Sequence, residues 1–197
     1  MSSSYRLELD RWLKSLDVVA DTVFDVGGAQ LPLPKRVNSF DVDNYTIFDL
    51  PQPHADSPEP DVLCDLNEGL ASAGINSAIH GYRGMADAVF CLEVMEYVYR
   101  PELALNTLKT LIKPKGYIWV SWQSVYPLHQ PIADDALRYM PAGVEKLADI
   151  CGLKITEWVW RRAETNGWLQ FCSAERMRPA KGEDHSFTGF ITKLEKR

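Results

Sequence analysis

The chain has 197 residues, 46% of them hydrophobic and 24% charged, a balance and length that suit one globular domain around a single core. A net charge of −6 with scattered lysines and arginines argues against a protein built to grip phosphate backbone, and the only basic cluster, Lys193, Lys196 and Arg197, is a short tail. No apolar run nears the roughly 20 residues that span a bilayer, and the first residues lack the apolar stretch of a signal peptide, so the reading is of a cytoplasmic protein with neither nucleic acid nor membrane as partner.

Tyr5, Leu9, Trp12, Leu13 and Leu16 fall on one helical face and predict an amphipathic lead-in helix over 4–16. Residues 22–26 form a short buried strand that ends in the turn Gly27-Gly28-Ala29. A nucleotide-binding α/β unit opens a helix at such a turn, its free N–H groups facing the ligand. Here Leu31-Pro32-Leu33-Pro34 follows and reads as extended chain. A second strand is expected at 44–50, stopped by Pro51 and Pro53, then a polar loop over 51–60 and a third strand at 61–66. Residues 67–86 read as loop and weak helix.

The middle of the chain is clearer. Ala88 to Leu92 is a continuous apolar run, as in a strand buried on both faces. Pro101 opens a helix with Ala104, Leu105, Leu108, Leu111 and Ile112 on its apolar side, closed by Pro114-Lys115-Gly116. A strand over 116–122 follows, then a helix from Pro141 carrying Val144, Leu147, Ala148 and Cys151, with Gly152 in the C-terminal capping position. Two β-rich runs, 153–160 and 167–177, flank Asn166-Gly167 and suggest an antiparallel hairpin. The expected organisation is a single domain: an N-terminal helix within 1–20, a core over 21–177 and a C-terminal extension over 178–197. Strands separated by helices, with a hairpin last, imply an α/β fold, a mostly parallel sheet with an antiparallel edge.

In an open sheet of this kind ligands sit beyond the carboxyl ends of the strands. The first strand ends in Asp25-Val26-Gly27-Gly28, the second in Asp49, the third in Asp65-Leu66-Asn67-Glu68, and the fourth in Leu92-Glu93-Val94-Met95-Glu96. Acids placed repeatedly after apolar strands suit hydroxyls, amines or a cation, and an acid some 20 positions beyond a glycine turn is what a ribose diol requires. The cysteines at 64, 91, 151 and 172 show no metal-ligand spacing and read as small buried hydrophobes. No metal site is expected. The tryptophans at 119, 122, 158, 160 and 168 read as core and sheet-face packing.

The segments "VFDVGG", "FDL", "DVLCDLNEGL", "ADAVFCLEVMEYVYRPELALNTLKTLIKPKGYIWVS" and "YPLHQPIADDALRYMPAGVEKLADICGLKI", taken together and in this order, resemble the successive motifs of class I S-adenosylmethionine-dependent methyltransferases, and most closely the small type 11 group. The resemblance runs from about residue 22 to 160. It implies a Rossmann-like, mostly parallel seven-stranded sheet with an antiparallel C-terminal hairpin strand and helices on both faces. It also implies S-adenosylmethionine as cofactor and methyl transfer to a small-molecule acceptor, such as a sugar or secondary metabolite.

By the same resemblance, Asp25 and Gly27 approach the methionine part of the cofactor. Gly28 is expected to keep contact there by taking a positive φ, and Gln30 to supply an amide in place of a helix N-terminus. Asp49, followed by Leu50, takes the ribose hydroxyls; Asp65 and Leu66 flank adenine; Leu92 and Glu93 line the cofactor and face the substrate. His129 borders the acceptor pocket, in reach of a proton-accepting role, with Tyr126, Asp134, Asp135, Arg138 and Tyr139 around it in sequence. The family's alternating glycines are reduced here: Ala29 and Leu31 stand in the later glycine places, and the first helix is expected to be short or missing. An inactive methyltransferase-like binding or scaffolding protein is therefore the alternative. A nicotinamide-dependent oxidoreductase requires GxGxxG after the first strand, and "GGAQLP" lacks it.

Overall fold

The computed structural model describes residues 4–51, 58–70, 74–125, 128, 131–162 and 187–197. Seven strands form one sheet in the order β3-β2-β1-β4-β5-β7-β6. They are β1 (Asp17–Val26), β2 (Ser39–Asp49), β3 (Val62–Leu63), β4 (Ala86–Cys91), β5 (Ile112–Gln123), β6 (Leu153–Arg161) and β7 (Gly189–Lys196). The first five run parallel in the sheet, while β7 lies antiparallel between β5 and β6. Among the described residues three α-helices accompany them: α1 (Ser4–Leu13), α2 (Pro101–Leu111) and α3 (Pro141–Ile150).

Period-2 alternation divides the strands between two cores. On one face Phe24 and Val26 of β1, Val89 and Cys91 of β4, and Ile118, Val120 and Trp122 of β5 pack under α2 and α3. On the other, Val18 and Val23, Ala88 and Phe90, and Trp119 pack with Leu9 and Leu13 of α1. Burial on both sides explains the unbroken apolar run of β4. Proline at the first helical position starts both α2 and α3. The chain leaves α3 through Gly152 at φ +64, a left-handed turn that suits glycine.

The connection from β1 to parallel β2 carries no α-helix. Residues 27–38 hold only a 3-10 turn, Leu33–Lys35. Pro32 and Pro34 explain this, since each lacks an N–H and biases the residue before it toward extended backbone. Leu33 takes the missing helix's place. Its side chain is 1% exposed and packs among Leu9, Leu13, Val23 and Phe90, a burial that stabilises by about 1.5–3 kcal/mol.

Several boundaries differ from the sequence reading: α1 ends at Leu13 rather than Leu16, β1 begins at Asp17 rather than Thr22, β2 begins at Ser39 rather than Asn44, and β3 is only Val62–Leu63. β5 begins at Ile112, directly after α2, and Pro114, Lys115 and Gly116 make an irregularity in its pairing with β4 rather than a separate turn. The antiparallel partner of β6 is Gly189–Lys196, from the stretch expected to be an extension; the run 167–177 and the Asn166-Gly167 turn lie outside the described residues. Charges hid this strand. Phe190 and Leu194 face one core and Ile191 the other, while Lys193 rests its ammonium 4.3 Å from the centre of the Tyr117 ring.

Candidate functional site

The register brings four strand ends to one level. Val26 pairs with Phe48 of β2 and Cys91 of β4, and Phe48 pairs with Val62 of β3. Whatever follows these residues meets at one edge of the sheet. The Gly27 N–H closes the junction by donating to the Phe48 carbonyl at 2.7 Å.

The two glycines have separate tasks. Gly27 sits at φ +82, and a Cβ there would lie 2.1 Å from Val94 Cγ2. Gly28 is not left-handed; its lack of a side chain leaves room for the Asp25 carboxyl, whose carbon would lie 2.2 Å from an added Cβ. The loop folds back over that carboxylate. Asp25 Oδ2 accepts the Leu33 N–H at 3.0 Å and the Tyr45 hydroxyl at 2.5 Å. Burial pushes the Asp25 carboxyl up to about 6, opposed by those two donors and by Arg36. Burial and the neighbouring Asp25 charge raise the Tyr45 phenol well above its ordinary value.

Asp49 ends β2 at 8% exposure. One of its oxygens accepts the Ala29 N–H at 3.0 Å and the other the Leu50 N–H at 2.8 Å. The same loop thus bridges both acids, Ala29 to Asp49 and Leu33 to Asp25. Leu50 and Gln30 are exposed beside this junction.

Asp65 belongs to the neighbouring turn. Its Oδ1 accepts the Asn67 N–H at 2.8 Å, a side-chain-closed turn typical of aspartate. Buried Asn76 braces it, accepting the Asp65 N–H at 2.8 Å and donating to the carbonyls of Asp65 and Gly69. Leu66 is nearly buried beside it, and Leu92 is similarly buried past the end of β4.

Glu93 turns away from this group. Its carboxylate accepts Arg161 Nη1 at 2.6 Å, Gln123 Nε2 at 2.8 Å and Ser121 Oγ at 3.2 Å, all from β5 and β6. Asp25, Gly27, Gly28, Asp49 and Leu50 therefore lie together, Asp65 and Leu66 lie in the next turn, and the Glu93 carboxylate belongs to the β5–β6 side. His129 and Tyr126 lie outside the described residues. Asp135 holds Arg138 in a two-point ion pair at 2.5 and 2.6 Å, and the Tyr139 hydroxyl donates to the Met95 carbonyl at 2.9 Å.

Tyr45, Asn76, Ser121, Gln123 and Arg161 were not legible as site residues. Tyr45 sits 20 positions from the acid it caps and Arg161 68 positions from its partner, so only tertiary contact joins them. The donor chemistry fits an adenosyl group in part. Carboxylate acceptors suit a diol and an exocyclic amine, and Gly27 permits close backbone approach. Against that, Asp25 and Asp49 already accept backbone N–H groups of the loop.

No family model matches the chain, and no curated protein matches it. Solved structures do resemble it. An S-adenosylmethionine-dependent methyltransferase from Mesorhizobium loti superposes with a TM-score of 0.61 at 11% identity, covering 99% of each chain. One from Archaeoglobus fulgidus gives 0.59 at 13% identity, covering 99% of this chain and 95% of that one. The 1,6-didemethyltoxoflavin-N1-methyltransferase of Burkholderia thailandensis gives 0.58 at 12% identity, covering 98% and 78%. At such identities the likeness concerns the fold. With the strand order and the reversed β7, it gives one conclusion: the chain has the Rossmann-like fold of the class I S-adenosylmethionine-dependent methyltransferases.

Proposed function

We infer that the chain binds S-adenosylmethionine at the β1–β2–β4 edge and transfers its methyl group to a small-molecule acceptor. The observation that carries this is the level meeting of a left-handed Gly27 with the carboxylates of Asp25 and Asp49 at the carboxyl ends of parallel strands. In this reading Asp49 accepts from the ribose hydroxyls, Asp65 from the adenine amine, and the Gly27–Gln30 backbone approaches the methionine part. Leu50, Leu66 and Leu92 supply apolar walls.

The cofactor supplies an electrophilic methyl carbon on a sulfonium. The residues then need to align an acceptor in line with it and exclude water, and holding two reactants in such a pose contributes about 7–11 kcal/mol. Where the acceptor is a hydroxyl, His129 is the base of this reading, adding roughly 10²–10⁴-fold.

A second reading rests on a specific observation. The loop's own Ala29 and Leu33 N–H groups occupy the two acids, and Val94 lies against Gly27. A chain that has lost the cofactor and serves as a binding partner would keep such a self-closed loop. Calorimetric titration with S-adenosylmethionine and S-adenosylhomocysteine separates the two: heat and a thermal shift support the enzyme, and neither at millimolar ligand supports the binding protein. Asp49→Ala is expected to weaken cofactor binding by about 1–3 kcal/mol; unchanged affinity would remove Asp49 from the site.

A further inference from the structure

Glu93 is the one non-glycine residue at positive φ among the described residues, at φ +60. A glutamate gains nothing from that conformation, which strains its Cβ against the backbone, and such a residue persists only where its surroundings over-determine it. The surroundings here are specific. Its N–H donates to Ser121 Oγ at 2.7 Å. Its carboxylate takes Ser121, Gln123 and Arg161, and the Arg161 side chain is 2% exposed. Three residues from two other strands thus hold one backbone position.

The next residue transmits the effect. Val94 Cγ2 occupies the space above Gly27 that a side chain there would fill. Gly27 in turn begins the loop whose Ala29 and Leu33 N–H groups hold Asp49 and Asp25. A continuous path of contacts therefore runs from the end of β6, through Glu93 and Val94, to the glycine turn at the end of β1.

The geometry points to Arg161 as a positioning residue for the cofactor edge: its ion pair with Glu93 holds the left-handed turn after β4 so that Val94 braces the glycine loop. This proposal rests on the reading of that edge as the cofactor site. Arg161 acts through Glu93. Removing its charge frees the turn to relax toward ordinary φ, which withdraws Val94 and loosens residues 27–33.

The test compares Arg161→Gln with Arg161→Lys, which keeps the charge and one donor toward Glu93. Hydrogen exchange would be followed in peptides covering 24–34 and 88–98, beside calorimetric titration with S-adenosylhomocysteine. In Arg161→Gln, exchange is expected to rise in both peptides and affinity to fall about tenfold, with Arg161→Lys restoring most of each. A rise confined to 88–98, with 24–34 at the parent level, overturns the proposal and leaves the pair as a local brace. Parent protein that binds no S-adenosylhomocysteine defeats the cofactor reading, and the exchange pattern alone then decides the linkage. If Arg161→Gln fails to fold, Glu93→Asp, which withdraws the carboxylate by one methylene, carries the same comparison with the same deciding outcomes.

Discussion

The two halves of the sheet solve the same problem by different means. At the end of β1 and β2, backbone N–H groups of one short loop reach both buried carboxylates, Leu33 on Asp25 beside the Tyr45 hydroxyl and Ala29 on Asp49. At the end of β5 and β6, the partly buried carboxylate of Glu93 is satisfied by side chains, Arg161 and Gln123 among them. The aromatic packing differs as well. The β6–β7 side carries Trp158 stacked on Trp160 at 5.6 Å with Phe190 against both, while Leu33 and α1 cover the β1 side. The lesson is that a loop held by its own amides can change shape by turning a few dihedrals. A buried ion pair cannot, because parting it leaves a charge without compensation. The first half is thus held by bonds that can rearrange, and the second is the frame.

That contrast can be broken or sharpened by substitution. Arg161→Met leaves the partly buried Glu93 carboxylate without its cation, and urea denaturation is expected to show a loss of up to about 3–5 kcal/mol; a loss below about 1 kcal/mol would place the frame elsewhere. Leu33→Ala opens a cavity where a helix would have packed, with an expected loss of about 2–4 kcal/mol by the same measurement. Near-parent stability there would mean that the loop collapses freely and is no substitute for a helix.

Asp25 gives the next effect, one that depends on pH. Its folded value of about 6 lies above the ordinary 3.8 because burial disfavours the charge. Its contribution is therefore fully present below about pH 4 and is lost as pH rises through about 6, a change of about 3 kcal/mol. Asp25→Asn removes the titration, so the stability difference between variant and parent should shift by most of that amount between pH 4 and 7. A constant difference across that range would show that the loop does not bury this carboxylate. The smallest effect is a control: Asp149, exposed beside Arg197, should change stability by no more than about 0.5 kcal/mol as Asp149→Asn.

Much of the fold was legible because its signals are local. The apolar run of β4, the Pro101 and Pro141 helix starts and the glycine after α3 each appear within a few residues, and each corresponds to an observed element. The missing first helix was legible too, since Pro32 and Pro34 act on their own neighbours. β7 was not: Lys193, Glu195 and Lys196 give it the look of a tail, and only the position between β5 and β6 makes its apolar alternation meaningful. Of the candidate site, the acids at the ends of β1 and β2 were visible as a pattern. The partners of the acids were not, since Tyr45, which caps Asp25, and Arg161, which pairs with Glu93, offer no local mark of what they bind.

By itself, then, the sequence determined where α2 and α3 begin, the two-faced burial of β4 and the helix-free crossover after β1. Those follow from side-chain periodicity and from the steric limits of proline and glycine, which act over a few residues. Tertiary structure alone decided which groups satisfy the buried acids, that Glu93 faces β5 and β6, and that Val94 lies against Gly27. Hydrogen bonds and ion pairs form between whatever the sheet brings within about 3 Å, and strand order, unlike periodicity, joins residues that are distant in the chain.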